Sequence, residues 1–177
     1  MGGLIGISLQ PSMTISNLTA EGIKVTGLAE KVGGLLGNIH SATLTNIQLS
    51  GELNAPKDAV EVSAGGLVGE ATHGLNLNSV QWMGSVSSGS DNVGGIVGKV
   101  TNLAASNIVS SGILSIIDDK YNSVRKNIGG LAGLILGEAS SLQNSSSTMT
   151  INAVAHYTGG LVGRFEGDNS VIKDSYF

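Results

Sequence analysis

Three histidines, two adjacent aspartates and one glycine-rich phrase ending in lysine are the places where residue type could support chemistry in this chain. A zinc hydrolase site needs two imidazoles one helical turn apart with a glutamate beside one of them. His40, His73 and His156 have no glutamate neighbour, and no two of them lie close in sequence. Gly94-Gly95-Ile96-Val97-Gly98-Lys99 imitates a phosphate-binding loop, but Val100 stands where a Ser or Thr must ligate magnesium. Glu52, Asp58, Glu61, Glu70, Asp91, Glu138, Glu166 and Asp168 are dispersed, which leaves no carboxylate pair placed for acid/base work. Asp118 and Asp119 would point to opposite faces of a strand, whereas in a loop both can face one Ca²⁺. No catalytic residue and no resident cofactor is assigned; Ca²⁺ at Asp118/Asp119 is the metal reading these carboxylates allow.

The elements that must carry these residues are set by a repeat. Gly-Gly-apolar-apolar-Gly occurs six times, starting at Gly2, Gly33, Gly65, Gly94, Gly129 and Gly159, at steps of 31, 32, 29, 35 and 30 residues. A period near 30 means one supersecondary unit stacked on itself. A small polar residue follows each phrase: Asn17, Asn46, Ser79, Asn107, Asn144 and Asp174. Two positions earlier an apolar residue recurs: Ile15, Leu44, Leu77, Ala105, Leu142 and Ile172. A second glycine follows four of the markers, at Gly22, Gly51, Gly84 and Gly112, with Met149 in the fifth unit.

Between these corners the residues alternate, as in Thr43-Leu44-Thr45 and Val60-Glu61-Val62, with the period of two that marks a half-buried strand. The chain is therefore expected to be all-β: a parallel β-helix, or β-solenoid, with about three short strands per ~30-residue coil. Residues 1–177 form one segment of about five and a half coils. Because the repeat begins at Gly2 and no polar cap closes either end, the segment reads as part of a longer chain. In a parallel stack, successive Leu, Ile and Val fill a dry interior. Asn at a corner tolerates left-handed backbone and can form an amide ladder between coils. Asn46 and Asn107 are expected to be buried in that ladder. The paired glycines supply φ > 0 or a close backbone approach. The second apolar column, Ile5, Leu36, Val68, Val97, Ala132 and Val162, either turns inward or forms an exposed stripe.

Composition narrows the classes of function. With Lys+Arg 9 against Asp+Glu 13, the chain has no basic surface for sequence-independent nucleic-acid binding. The longest apolar run, around Ile128–Leu136, is far shorter than a membrane span of roughly 20 residues. There is no Cys, so disulfides and thiolate metal sites are excluded. Thr14, Thr43 and Thr45 begin an outward threonine array that Asn76, Asn78, Ala104 and Ser106 interrupt. His40 and His73 can stack in neighbouring coils as a two-His metal site or a pH-sensitive pair. The lack of a third ligand favours plain turn residues.

The fourth unit carries an insertion, Ile116 to Asn127, that is rich in charge. Insertions in solenoids map to surface loops, often on a binding side. Asp118, Asp119, Lys120, Tyr121, Arg125 and Lys126 form the candidate ligand-binding loop, with Tyr121 as an aromatic anchor and Arg125 as a bidentate donor.

The phrase and its trailing strand resemble the GLUG-motif repeat family, best in Gly159-Gly160-Leu161-Val162-Gly163 followed by Ile172-Lys173-Asp174-Ser175-Tyr176. The third unit supplies Leu77-Asn78-Ser79-Val80, and the second Leu44-Thr45-Asn46-Ile47. Tyr is present only in the last copy. Such repeats occur in large bacterial surface adhesins and ahead of the catalytic domain in immunoglobulin-A-specific metalloproteases. The resemblance implies an extracellular or bacterial cell-surface location and a non-catalytic stalk or adhesive role. Partners would be a host glycoprotein, a matrix component or a surface polysaccharide, besides flanking domains of the parent chain. Two alternatives stand beside it: an accessory domain that holds substrate for a large secreted metalloprotease, and a fragment of a β-helix carbohydrate-active enzyme.

Overall fold

The computed structural model describes residues 1–55, 62–117 and 126–177, and the fold is a parallel β-solenoid. Among the described residues there is no helix. Two ladders run along the stack. The smaller has five strands, one per coil: Lys31–Gly33, Ser63–Gly65, Asn92–Gly94, Asn127–Gly129 and Tyr157–Gly159. Each ends on the first glycine of a phrase. The larger, eleven-stranded ladder holds the rest of each coil, in runs such as Thr14–Thr26, Leu36–Ala55 and Val68–Ser88. Such a run turns corners without leaving its ladder, so one long strand takes the place of the separate short strands expected from the alternation.

The corners fall on the polar markers. Asn17, Asn46, Ser79, Asn107, Asn144 and Asp174 all have positive φ, between 47° and 57°. Asn and Asp bear this conformation at lower cost than other non-glycine residues, because their short side chains hydrogen-bond locally. Gly22, Gly51, Gly84 and Gly112 form the next corner, also at positive φ. Met149 occupies that column in the fifth coil, aligned with Gly112, and register there stays continuous from Ser146 to Asn152.

The phrase glycines serve a different need. None of them has positive φ; they admit backbone against backbone. A Cβ on Gly65 would lie 2.2 Å from the Val68 carbonyl oxygen. On Gly66 it would lie 2.1 Å from the Gly95 oxygen and 2.7 Å from the Trp82 ring. On Gly69 it would lie 2.7 Å from the Val32 nitrogen. The chain folds back so tightly at each phrase that no side chain fits between the two ladders. Both apolar residues of the phrase then turn inward: Leu35, Leu36, Leu67, Val68, Ile96, Val97, Leu131 and Ala132 are buried. The second column is thus core, not an exposed stripe.

Like residues stack along the axis. Ile15, Leu44, Leu77, Ala105, Leu142 and Ile172 are register partners in sequence, as are Leu18, Ile47, Val80 and Ile108. Each fully buried Leu or Ile contributes about 1.5–3 kcal/mol relative to exposure. Trp82, wholly buried, takes the interior column between Leu49 and Ser110. The second phrase glycines, Gly34 and Gly66, leave room for its ring.

From the fourth coil on, serines take interior positions that apolar residues hold in earlier coils. The Ser145 hydroxyl accepts the Ile108 N–H at 3.2 Å and donates to the Gln143 carbonyl at 2.7 Å. Ser175 repeats this with the Ser145 N–H and the Lys173 carbonyl. Ser140 does the same with the Leu103 N–H and the Leu136 carbonyl. Each hydroxyl stands in for a main-chain carbonyl where the strand breaks, which explains why the long runs of the early coils become Ala132–Leu136, Ser141–Gln143 and Ser146–Asn152.

Gly66→Ala is expected to lower stability by about 3 kcal/mol or more, because the added methyl meets carbonyl and indole together. Gly6→Ala, where nothing lies within 4 Å of the new methyl, should change it by less than about 0.5 kcal/mol. Urea unfolding of the two variants checks the contrast.

Candidate ligand-binding face

Five of the six loop residues singled out in the sequence, Asp118, Asp119, Lys120, Tyr121 and Arg125, lie outside the described residues. The sixth, Lys126, is buried, and its Nζ donates to the Gly89 carbonyl at 3.3 Å. It anchors the start of the strand Asn127–Gly129.

His40 and His73 do meet. Their rings stack with centroids 3.8 Å apart and planes 20° from parallel. Thr72 Oγ1 lies 3.0 Å from His73 Nδ1. His156 is elsewhere, edge-on to Tyr157. Among the described residues no group of three or more His, Cys, Asp or Glu could hold a metal ion.

The acids sit apart, each in its own setting. Glu52 pairs with Lys24 in solvent, Glu166 with Arg164, and Asp174 with Lys173. Glu70 differs: it is 7% exposed and lies between Lys31 Nζ at 2.8 Å and Lys99 Nζ at 3.3 Å. Glu70 and Lys99 are register partners. Lys99, the residue that gave the phosphate-loop likeness, is therefore spent on a buried carboxylate, on a strand rather than before a helix. Both residues stand five positions after the first glycine of their phrases, so this pairing can be read from the repeat.

The buried amide ladder expected at the polar markers is not found there. Asn46 and Asn107 are exposed. Asn46 Nδ2 donates to Asn17 Oδ1 at 2.8 Å, linking side chain to side chain in the adjacent coil. The positive-φ corner bulges outward, so its side chain cannot reach the core. The buried amide pair is on the small ladder, where Asn127 Nδ2 donates to Asn92 Oδ1 at 2.7 Å.

A further candidate surface is the outward face just before the polar corner. Two side-chain columns cross it. One runs Thr14, Thr43, Asn76, Ala104, Ser141, Val171, and the other Ser16, Thr45, Asn78, Ser106, Gln143, Lys173. The small residues Ala104 and Ser106 sit between larger neighbours and open a trough of about 290 Å³. Its lining comprises Thr43, Asn76, Asn78, Ser106, Ser141 and Gln143 over a floor of Leu77, Ala104 and Ala105. No charged residue lines it. Asn78 Oδ1 accepts from Ser79 Oγ at 3.3 Å, Ser106 Oγ at 3.3 Å and Asn107 Nδ2 at 3.4 Å. Asn76 Nδ2 donates to Thr43 Oγ1 at 3.4 Å.

No protein-family model matches the chain, and no solved structure matches it. The chain is 32% identical over 186 aligned residues to part of the protein named Halomucin from Haloquadratum walsbyi (strain DSM 16790 / HBSQ001). The match covers 99% of this chain and 2% of that protein, so the chain spans a small fraction of the relative's length.

Glu70→Gln is expected to destabilise the fold by ~2–4 kcal/mol, because two largely covered ammonium groups lose their shared anion. Adding Lys99→Met in that background should recover part of the loss. Denaturant midpoints of the three proteins measure both effects.

Proposed function

We propose that this segment is a non-catalytic β-solenoid module of a secreted, surface-located protein, acting as a stalk or adhesive surface. The observation that carries the reading is the use of the repeated columns. The phrase glycines allow the ladders to meet, Leu, Ile and Val fill the interior, and the polar markers take the positive-φ corners. Among the described residues, Glu70 and Lys99 are committed to each other and Lys126 to Gly89. The likeness of nearly the whole chain to 2% of a much longer protein suits a module repeated or embedded in a large chain. The resemblance to the GLUG-motif repeats points the same way and suggests the extracellular location.

Recognition of a host glycoprotein or matrix component is assigned to the 118–126 insertion, the least repetitive stretch. Because Lys126 is buried, the replacement that tests this should span 118–125 and leave Lys126 in place. Exchange for a short Gly/Ser turn should leave the thermal midpoint nearly unchanged and abolish capture on an array of glycoproteins and matrix components. Capture that survives would move recognition off the loop. Measured turnover of any polysaccharide or protein substrate by the isolated segment would overturn the non-catalytic reading.

A further inference from the structure

We infer that the trough above the fourth coil is a binding site for a neutral carbohydrate, held by the oppositely oriented amides of Asn76 and Asn78. This rests on reading the segment as a recognition surface, but it uses a different site from the insertion.

Orientation of the amides comes first. Asn78 Oδ1 is engaged by Ser79, Ser106 and Asn107, which fixes the amide plane and leaves Nδ2 as the group offered outward. Asn76 is set the other way: Nδ2 is used by Thr43, and Oδ1 is offered. A donor and an acceptor therefore stand two residues apart on one strand face, roughly 6–7 Å along the strand. Across the trough, roughly 10 Å away by two rung spacings, Ser141 and Gln143 supply a hydroxyl and a third amide. The floor between them is the Ala104 methyl and the main chain of Leu77 and Ala105, whose side chains face the core.

A sugar ring matches this pattern. It presents hydroxyls around its rim, each both donor and acceptor, and C–H groups on its face. The face would settle on Ala104 while the rim meets the amides. The volume of about 290 Å³ is at the small end for a ligand site, which suits one or two rings and not a larger molecule. Charge excludes the competing classes. With no Lys, Arg, Asp or Glu lining the trough, an acidic saccharide or a phosphate has no ion partner and gives up hydration for nothing. A peptide strand would need a free sheet edge, and this surface is the face of paired strands. An open site covering one side of its ligand binds weakly, with Kd on the order of 1 mM.

The test titrates the isotope-labelled 177-residue protein with maltotriose, cellotriose and chitotriose, and with tri-galacturonate as the acidic probe, following side-chain amide resonances by NMR. At least one neutral trisaccharide should shift the Asn76, Asn78 and Gln143 amides in a saturable way, and the acidic probe should not. Ala104→Gln, which fills the floor, should weaken binding tenfold or more. Asn78→Asp, which replaces the offered donor with a carboxylate, should do the same, while Ser85→Ala, on another face, should leave it unchanged. If Asn78→Asp disturbs the fold, Ala104→Gln alone decides. No shift from any neutral probe at roughly ten times that Kd, equal binding by Ala104→Gln, or preference for tri-galacturonate overturns the inference. Sugar binding retained in the protein lacking 118–125 keeps this outcome separate from the fate of the loop.

Discussion

Backbone meets backbone at each glycine phrase, and the rest of the solenoid follows from that contact. Adding a Cβ at Gly33, Gly65, Gly94 or Gly129 would bring it to within 2.0–2.2 Å of a carbonyl oxygen. No other residue type can occupy those positions without separating the two ladders. Their closeness turns both apolar residues of the phrase inward, sets where the short strand lies over the following coil, and fixes the register in which the Leu44 and Ile47 columns stack. The cost is borne by glycine itself, which loses more conformational freedom on folding than other residues do. Stacking offsets this, since each coil lends its apolar edge to the next.

Charge is handled in the same economical way. Three ion pairs, Lys24–Glu52, Arg164–Glu166 and Lys173–Asp174, stand on the outside, where such pairs contribute little. One carboxylate, Glu70, is covered, and the two lysines on either side of it come from the small ladder, at Lys31, and from the strand Val97–Thr101 of the larger ladder, at Lys99. Such a cluster ties the two ladders together across three coils, and its worth lies more in holding them aligned than in net stability.

Much of this was legible in the residues. The six phrases implied a stack, the polar markers implied left-handed corners, and the alternation of Leu44 and Leu77 with polar neighbours implied the inward column. That His40 and His73 can stack in neighbouring coils was readable from their spacing, and their rings do so. What was not legible depended on curvature. A residue at positive φ is pushed outward by the bend, so Asn46 bonds Asn17 in solvent rather than in the core. A second set of such corners at Asn102, Ala139 and Asn169 escaped notice because Ala139 breaks the residue pattern. The serines that replace main-chain carbonyls look, in sequence, like ordinary surface residues. The trough arises where the threonine array was seen to fail: that irregularity is a change of side-chain size on an unchanged backbone.

The replacement of interior hydrocarbon by serine changes what joins one coil to the next. From Ser110 onward the column headed by Leu49 and Trp82 continues with Ser147, and the column of Ile47, Val80 and Ile108 continues with Ser145 and Ser175. Successive coils there are joined more by hydroxyl bridges and less by apolar contact. A solenoid built this way is graded along its axis, from a hydrocarbon interior around Trp82 to one partly lined by the hydroxyls of Ser110, Ser145 and Ser147.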